Sequence, residues 1–171
     1  MDNQEPREII QRYLQDAIAA EKSFETQLRG FAKEGDDDLV KSMFAQHADE
    51  TRDQYEALES RLKALGGDTS TMKSVMAHMF NMAPKAATVG HEKEERTTQN
   101  LMMAFAVENS EIGMYECLAA TASAAGDRET ESLARRIQNQ ERETAEKIWR
   151  ELPRVAVTAF ERISSGSFQN R

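Results

Sequence analysis

The stretch LMMAFAVENSEIGMYECLAA, residues 101–120, is the most apolar passage of the chain, yet it carries Glu108 and Glu111 three residues apart. At helical periodicity these two carboxylates fall on nearly the same face as the apolar residues around them. An ionised carboxylate inside an apolar core is costly to desolvate unless something positive accompanies it. The passage therefore predicts a buried helix that brings negative charge into a helical core.

The composition is that of a globular protein of one domain, with 171 residues, 39% of them hydrophobic and 30% charged. The apolar runs are too short to cross a bilayer, and MDNQEPREII at the N-terminus lacks the pattern of a secretory signal. We therefore expect a cytoplasmic protein without a membrane partner. A net charge of -8 and the lack of a basic cluster argue against nucleic acid as a partner. The single cysteine excludes an internal disulfide and a thiolate-rich metal site.

Eight glycines and three prolines punctuate long segments of good helix formers, so the fold is predicted to be all-α. Four helices are expected: helix A over residues 6–34, helix B over 36–65, helix C over 92–125 and helix D over 127–152. Gly35 and Gly126 each lie between two of these segments and precede an acidic residue, which is typical of a helix end followed by a new helix start. The pattern predicts two helical hairpins that form a four-helix bundle.

Residues 66–91 join the two hairpins and contain one short amphipathic segment, 72–82, which is predicted to be helical. This connection is long enough to run the length of the bundle, which would make helices B and C parallel. Beyond Pro153 no helical period is sustained. The chain is therefore divided into a helical bundle, residues 1–153, and a C-terminal tail, residues 154–171, with Val155, Val157 and Phe160 as its docking residues.

Each predicted helix has at least one glutamate on its inward apolar stripe, and helix B adds a histidine one turn before its glutamate. In the first hairpin, Glu21 and Glu50 lie 14 and 15 residues from the glycine of the turn, and in the second, Glu111 and Glu141 both lie 15 residues from theirs. Antiparallel residues equidistant from a turn face each other. These glutamates are therefore expected to meet at one depth in the bundle.

Something positive must lie between these carboxylates, and the inward stripes have no lysine or arginine at that level, so protons or metal cations are the candidates. Carboxylate oxygens and one imidazole suit iron or manganese; zinc stays open, and copper(I) is disfavoured.

Any one inward glutamate alone would be interpreted as an edge residue that reaches water. His47 is either a hydrogen-bonded core histidine or a ligand. Tyr115 is predicted to be a core tyrosine hydrogen-bonded to a carboxylate.

The runs AAEKSFETQL, HADET, VENSEIGMY and NQERET resemble the ferritin-like bacterial stress-response proteins of the YciE/YciF group over about residues 7–152. The ENSE pair also resembles the two-glutamate helix of rubrerythrins. The resemblance implies a ferritin-like bundle with a long crossover, a di-iron centre and a homodimer. By position, it implies six metal ligands: Glu21, His47, Glu50, Glu108, Glu111 and Glu141.

The chain departs from the pattern of these relatives in helices B, C and D. Asn109 stands where they usually carry a histidine, and Glu50 and Glu141 are followed three residues later by Asp53 and Thr144 rather than by the histidine of ferritins. The departures favour a weak or asymmetric second metal position.

Two functional hypotheses follow. The first is a di-metal protein of the bacterial stress response that binds iron or manganese and lets Fe(II) reduce O2 or peroxide. The alternative is a non-enzymatic structural stress protein that acts as a helical-bundle dimer. Iron storage in a hollow shell would depend on an assembly that the sequence does not reveal.

Overall fold

The computed structural model describes residues 4–69 and 92–169. It consists of four helices: α1 Gln4–Phe31, α2 Asp38–Ala64, α3 Arg96–Ala124 and α4 Arg128–Gln169, with a short 3-10 helix, Lys93–Glu95, before α3. No strand occurs in the described ranges. The all-α four-helix bundle is thus confirmed. None of the helices over these ranges is long and apolar enough to cross a bilayer.

The two predicted hairpin turns are present. Gly35 and Gly126 adopt left-handed backbone conformations, with φ of 75° and 74°, which favour glycine just beyond a helix C-terminus. Asp37 caps α2, because its carboxylate accepts the backbone N–H three residues later at 3.1 Å. Asp127 caps α4 in the same way at 3.0 Å. Each turn therefore ends one helix and begins the next.

Contacts at the two ends of the bundle give its topology. The Asn100 side chain near the start of α3 donates to Glu34 Oε2, just beyond the end of α1, at 3.2 Å, so these helices are antiparallel. Arg61 near the end of α2 pairs with Asp127 before α4 at 2.6 Å, so α2 and α4 are antiparallel too. Because α1 and α2 form a hairpin, α2 and α3 run parallel, as predicted. The short helix predicted at 72–82 lies outside the described residues.

Two apolar clusters fill the core, one on each side of a polar layer at mid-height. The cluster on the Gly35 side includes Phe24, Leu28, Phe31, Val40, Phe44, Leu101 and Ile148. The cluster on the Gly126 side includes Ile10, Leu14, Leu58, Leu62, Leu118 and Ile137. Burial of these apolar side chains is the main favourable contribution to the packing of the four helices.

The helix end predicted at residue 152 is wrong, because α4 continues through Pro153 to Gln169. Val155 and Ala159, only 4% and 5% exposed, extend the buried face of α4. Arg154 pairs with the carboxylate of Asp37 at 2.7 Å and fixes this extension against the α1–α2 turn. Pro153 is exposed, so the helical carbonyl that it leaves without a donor can meet water.

The residues proposed to dock the tail differ in their placement. Val155 is buried in the cluster on the Gly35 side, whereas Val157 and Phe160 are 55% and 69% exposed. The division of the chain at residue 153 into a bundle and a tail stays a prediction.

Candidate metal centre

Five of the six predicted ligands are buried together at mid-height in the bundle. Their exposed fractions are 4% or less. This set, called the carboxylate layer below, consists of Glu21 of α1, His47 of α2, Glu108 and Glu111 of α3, and Glu141 of α4. All four helices thus contribute to one polar layer between the two apolar clusters.

Three members of the carboxylate layer are close enough to bind one cation. His47 Nε2 lies 3.1 Å from Glu108 Oε1, and the ligand atoms of His47, Glu108 and Glu141 all lie within 4.8 Å of one another. The short distance between His47 and Glu108 is not a hydrogen bond, since neither His47 Nε2 nor either Glu108 oxygen has a hydrogen-bond partner. Phe24 packs against the imidazole with ring centroids 5.4 Å apart and limits its rotation.

The other two members of the layer, Glu21 and Glu111, form an oxygen-only side of the site. Tyr115 donates its O–H to Glu21 Oε1, which confirms the predicted tyrosine–carboxylate hydrogen bond. Glu21 Oε2 and both oxygens of Glu111 are buried without a hydrogen-bond partner. The charges of Glu21 and Glu141 both act on Glu111, so the two sides of the layer are electrostatically continuous.

The structure does not bring the sixth predicted ligand, Glu50, into the layer. Glu50 is partly exposed and accepts a hydrogen bond from Gln46 at 3.0 Å. Gln54 takes the inward position instead: it is 5% exposed, and its Nε2 donates to Glu141 Oε1 at 2.5 Å. At about 100° per residue, Gln54 lies roughly 20° and Glu50 roughly 60° from the direction of His47 on the helix. The sequence pattern places both Glu50 and Gln54 on the inward stripe of helix B, and this angular offset is the signal that favours Gln54.

The fold and the site are matched by a family of known sequences. The profile of the family described as "Domain of unknown function (DUF892)" matches residues 5–160. The chain belongs to the DUF892 family. No curated protein sequence matches the chain significantly.

Solved structures similar to this DUF892 chain cover nearly all of it. The Xanthomonas campestris protein XCC3681 is 28% identical, with a TM-score of 0.77 over 94% of this chain and 99% of that one. The Escherichia coli stress protein YciF is 21% identical, with a TM-score of 0.80 over 90% and 98%. YcfI from Rhodopseudomonas palustris is 23% identical, with a TM-score of 0.76 over 86% and 95%. The predicted resemblance to the YciE/YciF group is confirmed in the DUF892 match and in the fold shared with YciF.

Burial controls the protonation of the carboxylate layer in this DUF892 bundle. Burial raises the pKa of the Glu21, Glu108 and Glu111 carboxyls well above the ordinary range, and the charges of neighbouring carboxyls raise it further. Burial also raises the pKa of Glu141, to about 7, with the hydrogen bonds from protonated Glu108 and from Gln54 opposing the shift and the charge of Glu50 adding to it. Without a cation, these carboxyls therefore hold protons near neutral pH.

The imidazole of the layer is shifted in the opposite sense. Burial lowers the pKa of His47 to about 3, and the positive charge of Lys147 adds to this effect. His47 is therefore neutral at physiological pH, which is the form that ligates a metal. A cation that enters the layer would have to displace protons from the carboxyls but not from the histidine.

The residues of the layer fit a bound cation. Among the buried side chains of residues 5–69 and 92–165 there is no lysine or arginine, so no side chain of the layer supplies a permanent positive charge. When the carboxyls are ionised, six buried side-chain atoms of the layer lack a hydrogen-bond partner: Glu21 Oε2, His47 Nε2, and both oxygens of Glu108 and of Glu111. Buried polar atoms are rarely left unpaired in native proteins, and these are all atoms that ligate metals. A hard or borderline divalent cation would satisfy them.

Proposed function

We propose that this chain is a cytoplasmic di-metal protein of the bacterial stress response that binds two iron or manganese ions and lets Fe(II) reduce O2 or peroxide. The observation that carries the proposal is the layer of buried carboxyl and imidazole atoms without hydrogen-bond partners. The stress-response role is supported by the fold similarity to the E. coli stress protein YciF. Zinc remains an alternative occupant, because it also accepts oxygen and imidazole ligands.

The two sides of the layer would hold the two ions. His47, Glu108 and Glu141 would hold the first, since their ligand atoms are clustered within 4.8 Å. Glu21 and Glu111 would hold the second, with oxygen ligands only. Bound Fe(II) would supply the electrons that reduce the oxidant. The first position has a nitrogen ligand and the second has none, so we expect the first to bind transition metals more tightly.

Other groups of the chain prepare the layer for its ligands. Gln54 holds one oxygen of Glu141, and Tyr115 holds one oxygen of Glu21, so that the other oxygen of each remains for a cation. The raised pKa values of the carboxyls mean that cation binding releases protons. The apolar clusters on both sides exclude water, which would limit the escape of reactive oxygen species.

A second candidate function is that of a structural stress protein that acts through the surface of a homodimer. It is favoured by large apolar side chains that are exposed on the bundle: Leu39 at 62%, Met102 at 59%, Trp149 at 60% and Phe160 at 69%. In this case the carboxylate layer would be a network of shared protons. The two functions differ in whether the layer binds metal.

Metal loading tests the first function directly. The protein is prepared without a nickel affinity step, its metal content is measured, and the anaerobic apo-protein is titrated with Fe(II) before O2 or peroxide is admitted. We expect about two irons per chain and, after oxidant is added, absorbance from Fe(III) bound by carboxylates. An apo-protein that takes up no Fe(II) at micromolar concentration would overturn the proposal and favour the surface function.

Glu108→Gln separates the two functions by thermal stability. If the layer is structural, the variant is as stable as the wild type or more stable, because a buried carboxyl is removed, and added Mn(II) affects neither protein. If the layer binds metal, Mn(II) at a hundred times its Kd stabilises the wild type by about 2.7 kcal/mol and stabilises the variant much less, because the variant has lost a ligand of the first position. Glu56→Gln, an exposed change on α2, is the matched control and should keep the full response.

A further inference from the structure

A surface depression of about 240 Å³ lies between α2 and α4, directly beside the carboxylate layer. Glu50 and Asp53 of α2 and Arg136 of α4 line it. Gln54 also lines it, is 5% exposed, and donates to Glu141 of the layer at 2.5 Å. One side chain therefore contacts both the depression and the candidate metal centre.

Gln54 also supplies a free ligand atom. Its Nε2 is committed to Glu141, and it also lies 3.5 Å from Gln140 Oε1, but its own Oε1 is buried without a hydrogen-bond partner. A buried amide oxygen without a partner is destabilising, because it has lost its water and gained no donor. Amide oxygens are also good ligands for hard divalent cations. The inner wall of the depression thus presents an unsatisfied oxygen next to Glu141.

In the described part of the chain, the two ends of the bundle offer a cation poorer paths to the layer. The five members of the layer are at most 4% exposed, so a cation cannot reach them directly from solvent. Above and below the layer lie the two apolar clusters, which include Phe24 and Phe44 on one side and Leu14 and Leu58 on the other. A hydrated cation would lose its water in those clusters without gaining a polar ligand.

We propose that the depression between α2 and α4 is the access route by which divalent cations reach the carboxylate layer. Glu50 and Asp53 hold the cation first, the Gln54 carbonyl oxygen holds it next, and Glu141 receives it. The inference rests on the proposed metal-binding function and assigns Glu50 to the route rather than to the centre. Exposed carboxylates at the mouth of a site concentrate cations and accelerate their association, whereas a positive charge there opposes it.

Rates of metal uptake test the route. The full-length apo-protein is mixed with Co(II) in a stopped-flow instrument at low ionic strength, and free Co(II) is followed with a metal-sensitive indicator. The double variant Glu50→Gln/Asp53→Asn should take up Co(II) roughly threefold to tenfold more slowly, and Arg136→Gln should take it up faster. Raising the salt concentration should reduce both differences. The number of Co(II) ions bound at the end should not change.

A control variant removes two negative charges from exposed positions of α2 that do not line the depression. Asp49→Asn/Glu56→Gln changes exposed residues that do not line the depression, so its uptake rate should match that of the wild type. Ala57→Leu tests the route without any change of charge, because Ala57 lines the depression and a larger side chain narrows it. Uptake by this variant should be slower at low and at high salt alike.

The outcomes separate failure of the route from failure of the proposed function. Wild-type rates in both Glu50→Gln/Asp53→Asn and Ala57→Leu would overturn the route while metal binding stands. Loss of a bound Co(II) from the double variant at equilibrium would also overturn the route, because it would make Glu50 or Asp53 a ligand of the centre. If the wild type itself binds no Co(II) and no Fe(II), the proposed function is overturned together with the route.

Discussion

The apolar cluster on the Gly126 side and the carboxylate layer beside it are equally buried and opposite in energetic effect. Leu14 and Leu58 in the cluster are 0% exposed, and so are Glu108 and Glu111 in the layer. Burial of a large apolar side chain contributes about 1.5–3 kcal/mol to folding. Burial of a carboxyl without a partner costs about 1–3 kcal/mol.

The apolar clusters stabilise the bundle, whereas the carboxylate layer is the part that would bind a ligand. The two clusters provide enough apolar burial for the helices to pack around a layer that opposes folding. A layer that destabilises the metal-free protein is consistent with selection for ligand binding rather than for stability. The predictions below test the comparison by altering one region at a time, beginning with the largest expected effect.

Phe44→Ala should cause the largest loss of stability. Phe44 is 1% exposed and packs against Phe31 with ring centroids 5.4 Å apart. Its truncation should lower the free energy of unfolding by about 3–5 kcal/mol, measured by urea denaturation. Phe160→Ala is the matched control, because Phe160 is 69% exposed and the same change there should stay within about 0.5 kcal/mol. Equal effects at the two positions would contradict the role given to the cluster.

The metal-free protein should lose stability as the pH rises above neutrality. The pKa values of the layer carboxyls are raised in the folded state, to about 7 for Glu141, so their protonated forms favour folding at low pH, and this contribution is lost as the pH rises through the folded pKa values. Between pH 6.5 and 8 we expect the free energy of unfolding to fall by about 1.4 kcal/mol per pH unit for each proton that the folded protein retains and the unfolded chain has lost.

Two features make this pH window informative. The pKa of His47 is lowered in the folded state to about 3, so its stabilising contribution is complete above its unfolded value and is lost only as the pH falls below 6.5. Saturating Mn(II) should remove the loss of stability above pH 6.5, because a cation holds the carboxyls in their ionised form. A metal-free protein whose stability is constant from pH 6.5 to 8 would show that the layer is not protonated.

Glu111→Leu should stabilise the metal-free protein. Both oxygens of Glu111 are buried without hydrogen-bond partners, so replacement by an apolar side chain of similar size removes an unfavourable burial. We expect the free energy of unfolding to rise by about 1–3 kcal/mol and stabilisation by Mn(II) to weaken. Glu56→Leu on the exposed surface of α2 should change stability by less than about 0.5 kcal/mol. A large loss of stability in Glu111→Leu would mean that the carboxyl is satisfied in the folded protein.

Most of the fold could be predicted from the sequence, because turn glycines and acidic helix caps are local signals. Gly35 and Gly126 located both hairpins, and the length of the connection between helices B and C predicted their parallel arrangement. The extension of α4 beyond Pro153 was missed, since its support is not local. It depends on Val155 in the core and on the pairing of Arg154 with Asp37, which is far away in the sequence.

The position of each site residue along the bundle axis was predicted more reliably than the direction in which its side chain leaves the helix. Counting residues from each turn placed Glu21, Glu111 and Glu141 in one layer, and the structure brings them together. Glu50 satisfied the same count but lies partly exposed, and Gln54 occupies the inward direction. Depth depends only on the rise per residue, whereas direction accumulates 100° for each residue, so a shift of one position moves a side chain to another face.

Of the substitutions predicted in this section, Tyr115→Phe should have the smallest effect on the free energy of unfolding. It should also weaken the binding of metal. The Tyr115 hydroxyl is buried and donates to Glu21, so its removal should lower the free energy of unfolding of the metal-free protein by about 1 kcal/mol. It should also weaken Mn(II) binding by roughly 10-fold, because the carboxylate loses the group that orients it. Tyr55→Phe is the control: its hydroxyl lies 3.4 Å from Glu25, away from the layer, and its loss should leave Mn(II) affinity unchanged. If both variants bind Mn(II) as the wild type does, the Tyr115 hydroxyl does not position a metal ligand, and the assignment of Glu21 to the second metal position loses this support.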